Sequence, residues 1–366
     1  MVIDRLKAVV NLDYLVENYQ ALKRLNQGKD IYAVVKADAY GHGAIECSLH
    51  LEKNGCKHFA VTILKEAIEL RNAGLKSEIL IFGKTNPLNA IYLYDYDLVQ
   101  TVYSYEYACE LNRLGKKIKV HLNIDTGMSR LGFLCQRDKD ILPVVEKIEK
   151  ISKLENIEIC GIYSHFTSAD SDLNFTYEQK RLFNLLLKEL IIRQINYGKV
   201  HLDNSAGVIT LEDGDYDLAR CGIAMYGYPP VKSEEAFLPV MSLFAKVISI
   251  REIEAGASVS YGRTFVAKSK MTIATIAIGY ADGYMRILSN NDFVYYQGYE
   301  LPVVGRICME LTMLNVTGVS IKEGDEVEVF GRNKLLEPMA KRALTITYEL
   351  LTNLAKPRVD KIYIKK

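Results

Sequence analysis

Between Leu6 and about Arg220 the chain alternates short apolar runs with longer amphipathic segments, and this alternation limits the folds open to it more than any other feature. The runs read as strands fall at 8–11, 31–36, 59–63, 79–82, 98–102, 119–125, 160–165 and 200–203. Helical patterns lie between them at 15–25, 66–73, 105–114, 142–151 and 177–193. Strands separated by helices must run parallel, and eight such units predict a closed (β/α)8 TIM-type barrel, with an open doubly wound sheet as the alternative. In a barrel the strand C-termini share one mouth. That mouth would gather Lys36, Asp125, Arg130, His165, Asn204, Ser205 and Arg220.

After Tyr226-Gly227-Tyr228-Pro229-Pro230 the pattern changes. Short β-rich runs follow at 243–253, 271–277, 293–296, 300–307, 310–316 and 325–329, separated by turn signals such as Asn290-Asn291-Asp292, with a late helix expected at 341–354. The expected division is a barrel over 1–230 and a smaller, mainly β domain over 231–366. The 46 basic residues nearly match the 45 acidic ones, so no global field draws the chain to nucleic acid or an anionic membrane; the expected partner is a small molecule. No run approaches the roughly 20 apolar residues of a membrane span, and the N-terminus lacks a signal-peptide pattern; the reading is a cytoplasmic protein. Seven cysteines without a C-x-x-C pair fit free thiols, and His42, His50 and His58 are spaced for no helical metal pair. No metal is expected.

The second predicted strand ends on a lysine, in Ala33-Val34-Val35-Lys36-Ala37-Asp38-Ala39-Tyr40-Gly41-His42-Gly43. An ammonium at the rim of a packed core is costly unless it is paired, deprotonated or converted to a Schiff base. Further signatures follow in order: Asn123-Ile124-Asp125-Thr126-Gly127-Met128-Ser129-Arg130-Leu131-Gly132, Leu202-Asp203-Asn204-Ser205-Ala206-Gly207, Arg220-Cys221-Gly222-Ile223-Ala224-Met225-Tyr226-Gly227 and Ser260-Tyr261-Gly262-Arg263-Thr264. With Gly279-Tyr280-Ala281-Asp282-Gly283 and Gly305-Arg306-Ile307-Cys308-Met309, they resemble the alanine racemase family from end to end.

The resemblance implies a barrel that carries pyridoxal 5'-phosphate, a C-terminal β domain and a head-to-tail homodimer with shared active sites. It implies interconversion of L- and D-alanine, which supplies D-alanine for peptidoglycan. Removing a Cα proton needs the electron-withdrawing cofactor, while the protein supplies position and proton transfer. By the resemblance Lys36 forms the resting Schiff base and is the base on one face, and Tyr261 of the partner chain serves the other. Ser205, Gly222, Ile223, Tyr40 and Tyr348 would hold the phosphate, with Asn204 beside them. Arg220 would face the pyridine nitrogen, hydrogen-bonded to His165. Arg130 and the backbone N–H of Met309 from the partner chain would clamp the substrate carboxylate, and Tyr280 and Tyr284 would narrow the substrate's access route.

The chain also departs from the family pattern. Asn123 stands where many members carry a lysine, often carbamylated, which leaves a bound chloride as an alternative support for Arg130. Glu310 replaces the usual aspartate beside the substrate, Cys221 a common proline, and Lys356-Pro357 adds about one residue. The alternatives left open are a serine or broad-specificity racemase of the vancomycin-resistance type and a non-catalytic pyridoxal-phosphate-binding protein. Tyr348 argues for alanine, since a phenol there leaves little room for a hydroxymethyl group.

Overall fold

The computed structural model describes residues 5–211, 214–353 and 358–365. Two compact units divide the chain. One takes Leu15–Ala39 and Ala44–Leu238; the other takes Met1–Tyr14, Tyr40–Gly43 and Pro239–Lys366.

The first unit is the closed parallel barrel. Its eight strands are Asp30–Val34, His58–Val61, Glu78–Ile81, Val99–Val102, Ile118–Asp125, Ile157–Tyr163, Lys199–Asn204 and Leu218–Cys221. Each pairs in parallel with the next, and the eighth closes on the first through Ala219 opposite Ile31 and Cys221 opposite Ala33. Strands covered on both faces show burial at nearly every position, as at Asp30–Val34 and Val99–Val102. The amphipathic helix Leu12–Leu25 precedes the first strand, and helices such as Asp138–Ser152 lie between later ones, that helix burying Ile141, Val144, Val145, Ile148 and Ile151.

Two barrel expectations need correction. The run at 8–11 is no barrel strand: Leu6–Asn11 pairs antiparallel with Met241–Ile253 and parallel with Asp360–Ile364 in the second unit. Its burial alternates residue by residue, the mark of a strand packed on one face, unlike the continuous burial of the barrel strands. The eighth barrel strand is instead Leu218–Cys221, four residues long with Arg220 inside it, so it carries little of the apolar signal that reveals the others.

The second unit is mainly β. In its eight-stranded sheet the order runs Tyr299–Pro302, Phe293–Tyr296, Glu326–Phe330, Met241–Ile253, Leu6–Asn11 and Asp360–Ile364, with Met271–Ile276 and Thr312–Asn315 branching from Met241–Ile253. The helix expected at 341–354 is two helices, Leu336–Arg342 and Thr347–Asn353, parted where Leu344 takes a left-handed φ of 54° that no helix accommodates; Leu354 lies outside the described residues, as do Lys356 and Pro357. Among the described residues no helix is long and apolar enough to cross a membrane.

Candidate active site

The first barrel strand ends at Val34, and half-buried Lys36 opens a short turn with unusual backbone geometry. Ala37, Asp38, Ala39 and Tyr40 have φ values of 51°, 55°, 53° and 53°, four consecutive non-glycine residues in the left-handed region. Each such residue costs about 1–2 kcal/mol, so the turn must be held by its surroundings. Glu66 supplies much of that support: its Oε1 accepts from the Ala37 N–H at 2.7 Å, while Oε2 accepts from Thr62 and Ile63 at 2.9 and 3.2 Å. Asp38 Oδ1 accepts from Ala44 N–H at 2.8 Å where the helix Ala44–Lys53 begins. The Lys36 amine is pulled below the usual lysine range by burial first and by the charge of Arg130 second, with Glu66 opposing.

Around the same strand ends stand the other charges. Asp125 ends its strand and turns the chain: its Oδ1 accepts from the N–H groups of Gly127 and Ser129, both at 3.0 Å. The next residue is exposed Arg130. Asn123 donates to the Leu131 carbonyl at 3.0 Å. His165, which follows the strand Ile157–Tyr163, is driven well below the ordinary histidine range by burial and by the charges of Arg220, Arg130 and Lys36.

Arg220 is buried, and among the described residues no carboxylate is ion-paired with it. Its Nη1 donates to His201 Nδ1 at 2.7 Å and to the His201 carbonyl at 3.0 Å. Its Nη2 donates to the carbonyls of Ser164 at 2.6 Å and Leu202 at 3.0 Å and to His165 Nδ1 at 3.2 Å. The guanidinium also lies over the Tyr163 ring at 4.9 Å. Burial lowers Arg220 to about 10, so it stays charged at neutral pH. Ser205 Oγ accepts from the Gly222 N–H at 3.0 Å, tying the seventh strand end to the eighth. The Asn204 side chain is engaged locally, its Oδ1 accepting from Gly207 N–H at 2.9 Å, which caps the helix Ser205–Leu211, and its Nδ2 donating to the Phe166 carbonyl at 3.2 Å.

The remaining sequence candidates lie in the second unit. Tyr40 and Tyr348 are brought together there, ring centroids 6.1 Å apart. Tyr261 is 71 % exposed on a turn in which Ser260, Gly262 and Arg263 all have positive φ, and Ser260 Oγ donates to the Arg306 carbonyl at 2.5 Å. Backbone N–H groups of Tyr280 and Ala281 donate to the Cys308 and Met309 carbonyls at 3.1 and 2.9 Å, which sets Tyr280, Met309 and Glu310 along one edge. A Cβ at Gly279 would collide with that backbone. Glu310 accepts from Arg358, which also bonds to Asp282. Tyr284 departs from its expected place: it is 1 % exposed, donates to Asp292 Oδ2 at 2.7 Å and belongs to the core with Lys334, so it cannot line an access route.

Three residues that sequence reasoning passed over belong to the barrel site: Glu66, His201 and His121. Their signals were faint. Glu66 sits three residues after the helix start at Ile63, where a glutamate reaches back to free N–H groups. His121 and His201 each sit between two apolar residues inside a barrel strand, Val120 and Leu122 for the one, Val200 and Leu202 for the other.

Fold and site together define a parallel-barrel protein with a desolvated amine and two arginines at the mouth of the barrel. The comparisons narrow that class. The family model described as alanine racemase, N-terminal domain, matches residues 10–230, and that of the C-terminal domain matches 240–363. The alanine racemase of Clostridium kluyveri is 41% identical over 370 residues, covering 97% of this chain and 93% of its own. The solved alanine racemase of Clostridium difficile superposes with a TM-score of 0.93 at 36% identity over 100% of this chain and 97% of that one. That of Bartonella henselae, solved with covalently bound pyridoxal phosphate, gives 0.88 at 32% identity over 99% of this chain and 100% of that one. The chain belongs to the alanine racemase family.

Proposed function

We propose that this chain is a pyridoxal-phosphate-dependent alanine racemase that binds its cofactor through Lys36 and works as a head-to-tail homodimer in the cytoplasm. The observation that carries the reading is the Lys36 amine, desolvated, pressed by the charge of Arg130, and fixed on a strained turn at the end of the first barrel strand. The donor set suits the cofactor. A primary amine with a depressed pKa condenses readily with an aldehyde, and the Ser205 hydroxyl, which accepts from the Gly222 N–H and keeps its own O–H to donate, would hold a phosphate together with the Ile223 backbone.

When bound, the cofactor withdraws electrons from the substrate's Cα and brings its proton within reach of a side-chain base. Lys36 Nζ would take or return that proton on one face. Inversion needs a second group opposite, and Tyr261 Oη of the partner protomer would serve, its exposure leaving it free to enter another chain's site. Arg220 would meet the cofactor's ring nitrogen through Nε–H, the donor its five protein hydrogen bonds leave unused. A guanidinium keeps its proton, so it orients the ring without protonating it and limits charge spread away from Cα. Arg130 would pair with the substrate carboxylate, aided by the backbone N–H of Met309 of the partner protomer, with that protomer's Tyr280 and Glu310, on the same edge as Met309, forming the outer wall.

Reducing the purified protein with borohydride and mapping its peptides tests the reading. A pyridoxyl group is expected on Lys36 and on no other lysine, and Lys36→Ala should lose both the label and nearly all activity. Label on a different lysine, or a fully active Lys36→Ala protein, would overturn it.

A further inference from the structure

Behind Arg220, inside the barrel, lies a pair of histidines for which the proposed chemistry has no use. His201 is 0 % and His121 1 % exposed. His201 Nδ1 stands 2.7 Å from Arg220 Nη1, and His201 Nε2 stands 2.8 Å from His121 Nδ1. Arginine offers five N–H donors and no acceptor, so its partner must accept. His201 Nδ1 is therefore unprotonated, and the His201 proton sits on Nε2. That N–H donates to His121 Nδ1, which leaves the His121 proton on its own Nε2. One donor thus fixes both tautomers and keeps both rings neutral.

The pair is built in. Tyr163 stacks on the His201 ring at 4.8 Å and 12°, and Tyr32 lies against it at 5.2 Å. Space for the His121 ring exists because residue 161 is glycine: a Cβ there would stand 2.4 Å from ring atoms Cε1 and Nε2. The charged and titratable neighbours are Glu78, His58, Lys199, Tyr32, Tyr163 and Arg220. Of these, Arg220 alone donates to His201 Nδ1.

We propose that His201, backed by His121, is a positioning residue for Arg220: it commits the Nη1 edge of the guanidinium to the barrel wall, so that Nε–H is the donor presented at the mouth. The inference rests on the reading that Arg220 faces the cofactor ring. Without His201, Nη1 would be a buried donor short of a partner, and the guanidinium would turn to find one.

The test uses the cofactor-loaded enzyme. In solid-state 15N spectra of histidine-labelled protein, with signals assigned by their loss in His201→Gln and His121→Gln, both residues are expected as neutral Nε2–H tautomers from about pH 6 to about pH 9, where a free histidine would titrate. His201→Leu should lower kcat by about tenfold to a hundredfold with KM held within about twofold, as a misaligned group does. His201→Gln, whose carbonyl can accept from Nη1, should recover to within about threefold of wild type. An Nδ1–H tautomer at His201, a titration near the free-histidine value, or a folded Gln variant no better than Leu would overturn the proposal. Should the Leu variant fail to fold, the tautomers and the Gln variant still decide. A wild-type enzyme inactive on alanine would refute the racemase reading, whereas a wrong tautomer in an active enzyme refutes this inference alone.

Discussion

Glu66→Gln probes how the barrel holds its lysine. The carboxylate accepts three backbone N–H bonds, from Ala37, Thr62 and Ile63, and so ties the left-handed turn after Lys36 to the start of the helix Leu64–Asn72. A glutamine keeps one acceptor oxygen and sets an NH2 donor against an N–H on the other side. The four left-handed residues represent roughly 4–8 kcal/mol of strain at about 1–2 kcal/mol each, so the turn has a strong tendency to relax once released. Losing the charge-assisted bond to Ala37 should cost about 1.5–3 kcal/mol. At about 2–4 °C per kcal/mol for a unit of this size, Tm should fall by about 3–12 °C. Charge gives a second readout. Glu66 raises the Lys36 pKa against burial and Arg130, so removing its charge should lower that pKa further. In cofactor-free protein, the rate at which an amine reagent labels Lys36 should then reach its plateau at lower pH than in wild type. A Tm within about a degree of wild type, together with an unchanged labelling profile, would refute the idea that Glu66 holds the turn.

Three further outcomes are expected. Mixing inactive Lys36→Ala and Tyr261→Phe proteins under subunit exchange should restore about a quarter of wild-type activity, since about half the dimers would be hybrids with one intact site; verified exchange without recovery would show that the two residues do not meet across an interface. His121 is held at about 4 by burial, below an unfolded value of about 6.5, so the unfolded chain binds more protons in that window and stability is lost as pH falls through it. Between about pH 7 and about pH 5, His121→Asn should therefore lose about 2 kcal/mol less in urea unfolding than wild type, and equal losses would contradict the assignment. Gly161→Ala, which sets a methyl 2.4 Å from atoms of the His121 ring, should cost about 1–3 kcal/mol in the same assay, and a neutral result would show that the ring has room to move.

The barrel was legible because parallel strands covered on both faces are written largely in apolar residues, and seven of the eight overlap runs read as strands from the sequence. Leu218–Cys221 was hidden by its shortness and by Arg220, a charge kept inside the barrel because carbonyls and imidazoles ring it. Leu6–Asn11 was misplaced because Ala8-Val9-Val10 reads as a continuous apolar run, and only the pairing with Met241–Ile253 shows which sheet it joins. Among the candidate residues, Lys36, Arg130, His165 and Ser205 stand out in motifs because each follows the end of a barrel strand, and Arg220 because its own motif comes next in order. Tyr284 could not be placed, because neighbouring tyrosines in one motif can point to opposite sides of a turn: Tyr280 is 40 % exposed and Tyr284 is sealed against Asp292. Glu66 and His201 act through partners 29 and 19 residues away, contacts that no local pattern encodes.

Racemisation by this chain would move the Cα proton of alanine with one group on each face. Purified enzyme should be given L-alanine and, separately, D-alanine in deuterated water, with both enantiomers and their Cα deuterium followed by chiral chromatography and mass spectrometry. Both reactions are expected to converge on equal amounts of the two mirror-image forms, with deuterium appearing in the enantiomer that forms and both directions abolished in Lys36→Ala. Alanine that keeps its configuration and its Cα hydrogen in the presence of the loaded enzyme would contradict the account.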